Sequence, residues 1–162
     1  MTRVHVPIHL RWGDLDAFGH VNNASMLRLL EEARCRAFFR ADDSDDSAPP
    51  TAVLGADVLG SQAGYVTLIA RQTIEYLRPV AYRHRPLDVQ LWIGRIGGSS
   101  IDVSYEVRGA AGEGDDSQEV YARADAVVVL VDVTTGRPVR LTADMREAWA
   151  PYVEEPVVFG RR

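Results

Sequence analysis

Apolar and polar residues alternate from Val4 to Trp12, with Val4, Val6, Ile8 and Leu10 on one side. A period of two predicts a first strand with one buried face. Pro7 lacks a backbone N–H, which places that strand at an edge or a bulge. From Ala24 to about Arg40 the period changes. Met26, Leu27, Leu30, Ala33, Ala37 and Phe38 recur three and four residues apart, which predicts a long amphipathic helix. Leu29, Cys35 and Phe39 widen its apolar stripe, so most of its circumference should be covered. Asn22 or Asn23 supplies the side-chain oxygen that caps its first turn.

The pattern then breaks. Ala41 to Pro50 is acidic and ends in Pro49-Pro50, as a solvated connector would. Thr51 to Gly64 is apolar but punctuated by glycine and fits no single period. Residues 41–63 together read as a connector. Four strands follow, at Tyr65–Tyr76, Leu87–Ile96, Ser99–Arg108 and Gln118–Asp132. The breaks at Gly97-Gly98 and Gly109–Asp116 favour antiparallel hairpins. Ala122–Val131 is almost continuously apolar, as a central strand should be. Thr142–Trp149 reads as a short helix capped by Thr142, with a tail to residue 162. The order predicts a single α+β domain over residues 1–162, one long helix packed on one face of an antiparallel sheet. The other face and the sheet edges would then need a second subunit.

Composition narrows the function classes. The 162 residues suit one domain, and 46% hydrophobic with 25% charged is ordinary for a globular protein. A net charge of −5 opposes non-specific nucleic-acid binding, which needs a basic footprint. A local arginine cluster could still hold an anionic ligand. Cys35 is the sole cysteine, so no intrachain disulfide forms, as in a reducing compartment. Its place in the helical pattern predicts a buried structural thiol. Met1–Pro7 has no apolar signal core, and no apolar run reaches the ~20 residues of a membrane span. A cytoplasmic protein without a membrane partner is expected.

The chemistry concentrates between the first strand and the helix, in Arg11-Trp12-Gly13-Asp14-Leu15-Asp16-Ala17-Phe18-Gly19-His20-Val21-Asn22-Asn23-Ala24. A carboxylate just before a helix can act as base or nucleophile, and the helix's unpaired N–H groups can hold a developing oxyanion. Asp14 reads best as a turn residue that satisfies backbone N–H groups. Asp16, nearer the helix, is either the reactive carboxylate or an Asx-turn residue. Gly19 suits a positive φ or a close backbone approach to a ligand. His20 either orients substrate and moves a proton or is a buried histidine bonded to backbone.

The run Asp16–Ala24 followed by Leu30-Glu31-Glu32-Ala33-Arg34 resembles the hotdog-fold thioesterases, in particular the 4-hydroxybenzoyl-CoA thioesterase-like group of acyl-CoA thioesterases. The likeness continues in Tyr76-Leu77-Arg78-Pro79-Val80, in Gly97-Gly98-Ser99-Ser100-Ile101 and in Tyr121–Asp132, so it covers about residues 4 to 133. It implies a helix wrapped by an antiparallel sheet, subunits joined sheet to sheet as a dimer or a dimer of dimers, and sites at the subunit interface. It matches the catalytic aspartate to Asp16 and the oxyanion donor to the backbone N–H of Asn23. Some bacterial relatives have a histidine where this chain has Asn23. Plant acyl-carrier-protein thioesterases have a histidine matching His20, but their catalytic asparagine falls on Phe18, which leaves His20 a supporting part.

The same resemblance implies an acyl-CoA substrate, with coenzyme A as part of that substrate and no separate cofactor. Coenzyme A carries phosphates, which arginine suits. Arg83, His84 and Arg85 form a basic turn, with Arg78 and Arg95 near in sequence; a solvated turn is the alternative. Ser99 and Ser100 could add hydroxyl or backbone contacts, or belong to a plain hairpin. Tyr65 and Val66 match the place where the family's partner subunit closes the acyl pocket. No metal is expected, because His5, His9, His20 and His84 are scattered. The competing readings are an acyl-CoA hydratase or dehydratase and a non-catalytic acyl-CoA-binding protein.

Overall fold

The computed structural model describes residues 2–40, 46–54, 64–110 and 119–160. Its elements are β1 (Val4–Ile8), a 3-10 turn (Trp12–Asp14), α1 (Asn23–Phe38), β2 (Tyr65–Tyr76), β3 (Leu87–Ile96), β4 (Ser100–Arg108), β5 (Val120–Asp132), α2 (Ala143–Trp149) and a 3-10 turn (Ala150–Tyr152). The five strands form one antiparallel sheet in the order β1-β3-β4-β5-β2. Pro7 lies mid-strand in β1, an edge strand, where its missing N–H costs no ladder bond.

Register fixes what faces α1. Val6, Val89, Val107, Ala122 and Tyr76 align across the sheet, and Leu91, Tyr105, Ala124 and Ile74 form the next row. Against this face α1 buries Met26, Leu29, Leu30, Ala33, Ala37 and Phe38. The alanines of β5 (Ala122, Ala124 and Ala126) lie in this core with at most 1% exposure, small enough for a helix to approach closely. This is the α+β hotdog arrangement.

Part of the opposite face, expected to need a second subunit, is covered from within the chain. Residues 153–160 cross the sheet as a strap made by the chain itself. Glu154 N–H donates to the Ile93 carbonyl at 3.0 Å. Trp92 Nε1 donates to the Glu155 carbonyl at 2.8 Å, Val157 N–H to Ser104 Oγ at 3.1 Å and Gly160 N–H to Glu75 Oε1 at 3.0 Å. Beneath the strap Glu106, 8% exposed, meets Arg3 and Arg108 at 3.0 and 2.7 Å. Arg3 also grips Glu154 and covers the Trp92 ring at 3.9 Å. The open region is instead the outer edge of β2, where Leu68 and Ile69 are exposed.

Other differences are local. β1 stops at Ile8 because the chain turns into the 3-10 turn instead of running on to Trp12. α1 ends at Phe38, since Phe39 turns extended and bridges Leu54. Cys35 is exposed, on the outward side of α1, and not a buried thiol. Desolvation still raises its pKa, the wrong direction for a nucleophile. Of the connector, residues 41–45 and 55–63 lie outside the described residues. Its described part reaches the core, where Thr51 Oγ1 donates to the Ala37 carbonyl at 2.6 Å and Leu54 is buried.

Candidate active site

The loop before α1 is built by its own polar side chains. Asp14, 3% exposed, takes the Arg11 N–H at 2.7 Å and the Arg11 guanidinium at 2.9 Å. Burial would raise its pKa, but these bonds from Arg11 hold it below the usual carboxyl value. Asp14 is thus the structural acid that its position suggested. Residues 16–20 form a closed turn, with Asp16 N–H donating to the His20 carbonyl at 2.8 Å and Gly19 N–H to the Asp16 carbonyl at 3.1 Å. Gly19 has φ +77°, the left-handed region a glycine enters without the Cβ penalty. An antiparallel bridge from Leu15 to Val21 clamps the turn's base.

Asp16 takes the Asx-turn part proposed for it. Its Oδ1 accepts the N–H groups of Phe18 and His20 at 2.8 and 3.2 Å, which is an Asx-turn. Among the described residues Oδ2 accepts no hydrogen bond. One oxygen therefore fixes the carboxylate and leaves the other available for chemistry.

The helix N-terminus offers a matching donor. Asn22 is the cap, and its Oδ1 accepts from Ala24 and Ser25 at 2.8 and 3.4 Å. Met26 N–H reaches the Asn22 carbonyl at 2.9 Å. Of the first N–H groups of α1, only that of Asn23 has no acceptor among the described residues. It sits at the positive end of the helix dipole. The Asn23 carbonyl accepts the Tyr76 hydroxyl at 2.9 Å, which ties this end of α1 to the end of β2.

Asp16, His20, Asn23 and Arg78 line one cleft of about 250 Å³, open to solvent, together with Val21, Met26, Tyr76, Leu77, Pro79 and Val80. The wall at Arg78–Val80 is held by Val21 N–H to the Val80 carbonyl at 2.8 Å and by a bridge from His20 to Ala81. Arg78 pairs with Glu119. Arg83 lies close by but turns onto Tyr121, donating to its hydroxyl at 2.7 Å. Arg85 is exposed at the end of the same turn.

The remaining candidates lie elsewhere in the protomer. Ser100 pairs with Val129 of β5, whereas Tyr76, beside the cleft, pairs with Ala122. Seven residues of strand separate them, roughly 23 Å. Arg95, Ser99, Ser100, Tyr65 and Val66 all belong to that far end, and Arg95 is paired there with Asp102 at 3.0 Å. Tyr76, Met26, Leu77, Pro79 and Val80 were not singled out as site residues from the sequence, whereas Arg78 was. For Tyr76 the signal is a tyrosine closing a strand two residues before the Arg78-Pro79 break. Among the described residues no group of three His, Cys, Asp or Glu side chains could hold a metal ion. No described helix is long and apolar enough to cross a membrane.

Asp16, with one carboxylate oxygen outside its turn, and Asn23, whose N–H has no acceptor among the described residues, thus line the same cleft. The family model described as Thioesterase-like superfamily matches residues 10–149, and the chain belongs to that superfamily. Among solved structures, the Escherichia coli YbaW probable thioesterase is 25% identical over 94% of this chain and 98% of its own, at a TM-score of 0.62. A Thermus thermophilus thioesterase complexed with coenzyme A and Zn is 28% identical over 96% of each chain, at a TM-score of 0.62. The Staphylococcus aureus DHNA-CoA thioesterase is 16% identical over 93% of this chain and 91% of its own, with a TM-score of 0.72, and that likeness is one of fold alone. No curated protein matches the sequence.

Proposed function

We propose that the protein hydrolyses acyl-CoA thioesters to the free acid and coenzyme A. The observation that carries this reading is the pairing of the Asp16 carboxylate with the unpaired Asn23 N–H in one cleft. The likeness to a coenzyme A complex supports the carrier. The thioester carbonyl oxygen sits against the Asn23 N–H, where helix dipole and hydrogen bond stabilise the charge that develops on it. Asp16 acts in one of two ways. It attacks the carbonyl carbon, expelling the thiolate and leaving a mixed anhydride that water opens, or it takes the proton of an attacking water. His20 supports from the same cleft. Neither route calls for a metal or a separate cofactor.

The site is completed by a second copy in this reading. The open edge of β2 offers a ladder for antiparallel pairing. Pairing centred between Ala70 and Arg71 would set the partner subunit's Tyr65 opposite Tyr76 and draw its Arg95–Ser100 end toward this cleft. Arg78, on the cleft wall, and the exposed Arg85 are the arginines placed to meet coenzyme A phosphates in this reading, while Arg83 donates to Tyr121. Light scattering should give a whole multiple of 17.9 kDa, two or four; a monomer would sink the shared site.

Thiol release from acetyl-, decanoyl- and benzoyl-CoA is the test of the activity. Free coenzyme A from at least one of them is expected. A hydroxyacyl-CoA product without thiol would identify a hydratase, and tight binding without turnover a non-catalytic acyl-CoA-binding protein.

A further inference from the structure

Three rings stand in an edge-to-face ladder beside the cleft and take no part in the chemistry above. Trp12 and Tyr82 meet at 5.3 Å between centroids and 74°, and Tyr82 meets His84 at 5.5 Å and 76°. Trp12 is 75% exposed and Tyr82 37%. A tryptophan held in register by another ring and left open to water suits a planar ligand.

The ladder is continuous with the site on both sides. Trp12 opens the 3-10 turn that holds Asp14, four residues before Asp16. Tyr82 follows Ala81, which bridges His20, and the residues before it form the cleft wall. Guanidinium groups stand close in sequence to the rings: Arg11, paired with Asp14, Arg78, paired with Glu119, and Arg83 and Arg85 on either side of His84. Rings interleaved with guanidinium groups complement a purine that carries phosphates.

We infer that the exposed Trp12 ring, braced edge-on by Tyr82, is the platform on which the adenine of the thioester carrier's nucleotide stacks. The inference rests on the thioesterase reading and deepens it. Thioester carriers come with a nucleotide, as in coenzyme A, or with a protein in its place. Only the first brings a purine, so the platform assigns the nucleotide-bearing carrier.

Two measurements test it. The first titrates wild-type protein and Trp12→Ala with adenosine 3′,5′-bisphosphate by calorimetry. Binding by the wild type that weakens about tenfold in Trp12→Ala is expected. The second compares kcat/KM for decanoyl-CoA with that for S-decanoyl pantetheine, or the benzoyl pair if benzoyl is the better acyl group. The preference for the coenzyme A ester should fall about tenfold in Trp12→Ala, through KM. Equal losses on both esters would overturn the platform in favour of a loop-positioning role. A Trp12→Ala protein whose mass by light scattering falls to a smaller assembly would overturn it in favour of a subunit contact. Nucleotide binding without hydrolysis of any ester would uphold the platform and refute the thioesterase reading. Hydrolysis with no nucleotide binding would do the reverse.

Discussion

Asp16→Asn lowers kcat by about 10²- to 10⁴-fold, the range that a positioned general base contributes. Asparagine is the informative replacement. Its side-chain oxygen can still accept the N–H groups of Phe18 and His20, which Asp16 Oδ1 takes at 2.8 and 3.2 Å. The turn survives, and only the carboxylate is lost. Alanine would remove both and confuse chemistry with folding. KM should change little, because the substrate's grip lies in the cleft wall and in the coenzyme A contacts. The check is a kinetic comparison of the two proteins after their melting temperatures are shown to agree. A kcat within a few-fold of wild type would remove Asp16 from the mechanism.

Glu106→Ala is the substitution expected to cost most stability. The carboxylate lies under the strap with guanidinium groups of Arg3, Arg108 and Arg123 at 3.0, 2.7 and 3.6 Å. Removing one partner of a buried ion pair costs about 3–5 kcal/mol. The arginines keep 22 to 35% side-chain exposure, so the low end, about 3 kcal/mol, applies. For a domain of this size that is roughly 10 °C in Tm. Its pH dependence has a definite sign. Burial alone would raise the Glu106 pKa, but Arg108 and Arg3 outweigh it and hold the value below the ordinary 4.5. The ionised form is therefore favoured in the folded state. Its stabilisation is complete above pH 4.5 and is lost as pH falls through the lower folded value. The Tm gap between wild type and Glu106→Gln should stay constant above pH 4.5 and narrow below it. A gap that persists unchanged to strongly acid pH would show that the charge is not what Glu106 contributes.

What could be read in the sequence follows from the range of each interaction. The bounds of β2 and β3 were readable to the residue, because glycine and proline punctuate strands locally. The start of α1 was readable to within one residue, with the cap open between Asn22 and Asn23, because a cap acts within its own turn. Its end was not, because Phe39 is drawn away by Leu54, a partner fifteen residues on. Cys35 fell inside a plausible apolar stripe, yet the sheet reaches only part of the helix surface. The strap was illegible. Residues 153–160 have no period, and their partners are single groups on four different strands.

The site divides in the same way. Asp16, Gly19, His20 and Asn23 lie in one short loop whose geometry is set by its own backbone bonds. Arg78 joins them because β2 delivers it to the loop, and Tyr76 fastens that junction. Ser99, Ser100, Arg95, Tyr65 and Val66 were grouped with the loop by resemblance. Their distance from it depends on strand register, which no local pattern in Ser99-Ser100 or Tyr65-Val66 encodes.

In this reading two acids two residues apart have opposite work, Asp14 holding the loop and Asp16 acting on the thioester. It is tested most directly by thiol release from the best of the three acyl-CoAs, with Asp14→Asn and Asp16→Asn beside the wild type and a melting curve for each. Asp16→Asn should melt with the wild type and lose turnover, while Asp14→Asn should melt lower and keep most of its kcat below its transition. A stable Asp14→Asn without turnover, beside an Asp16→Asn that still releases thiol at the wild-type rate, would contradict it.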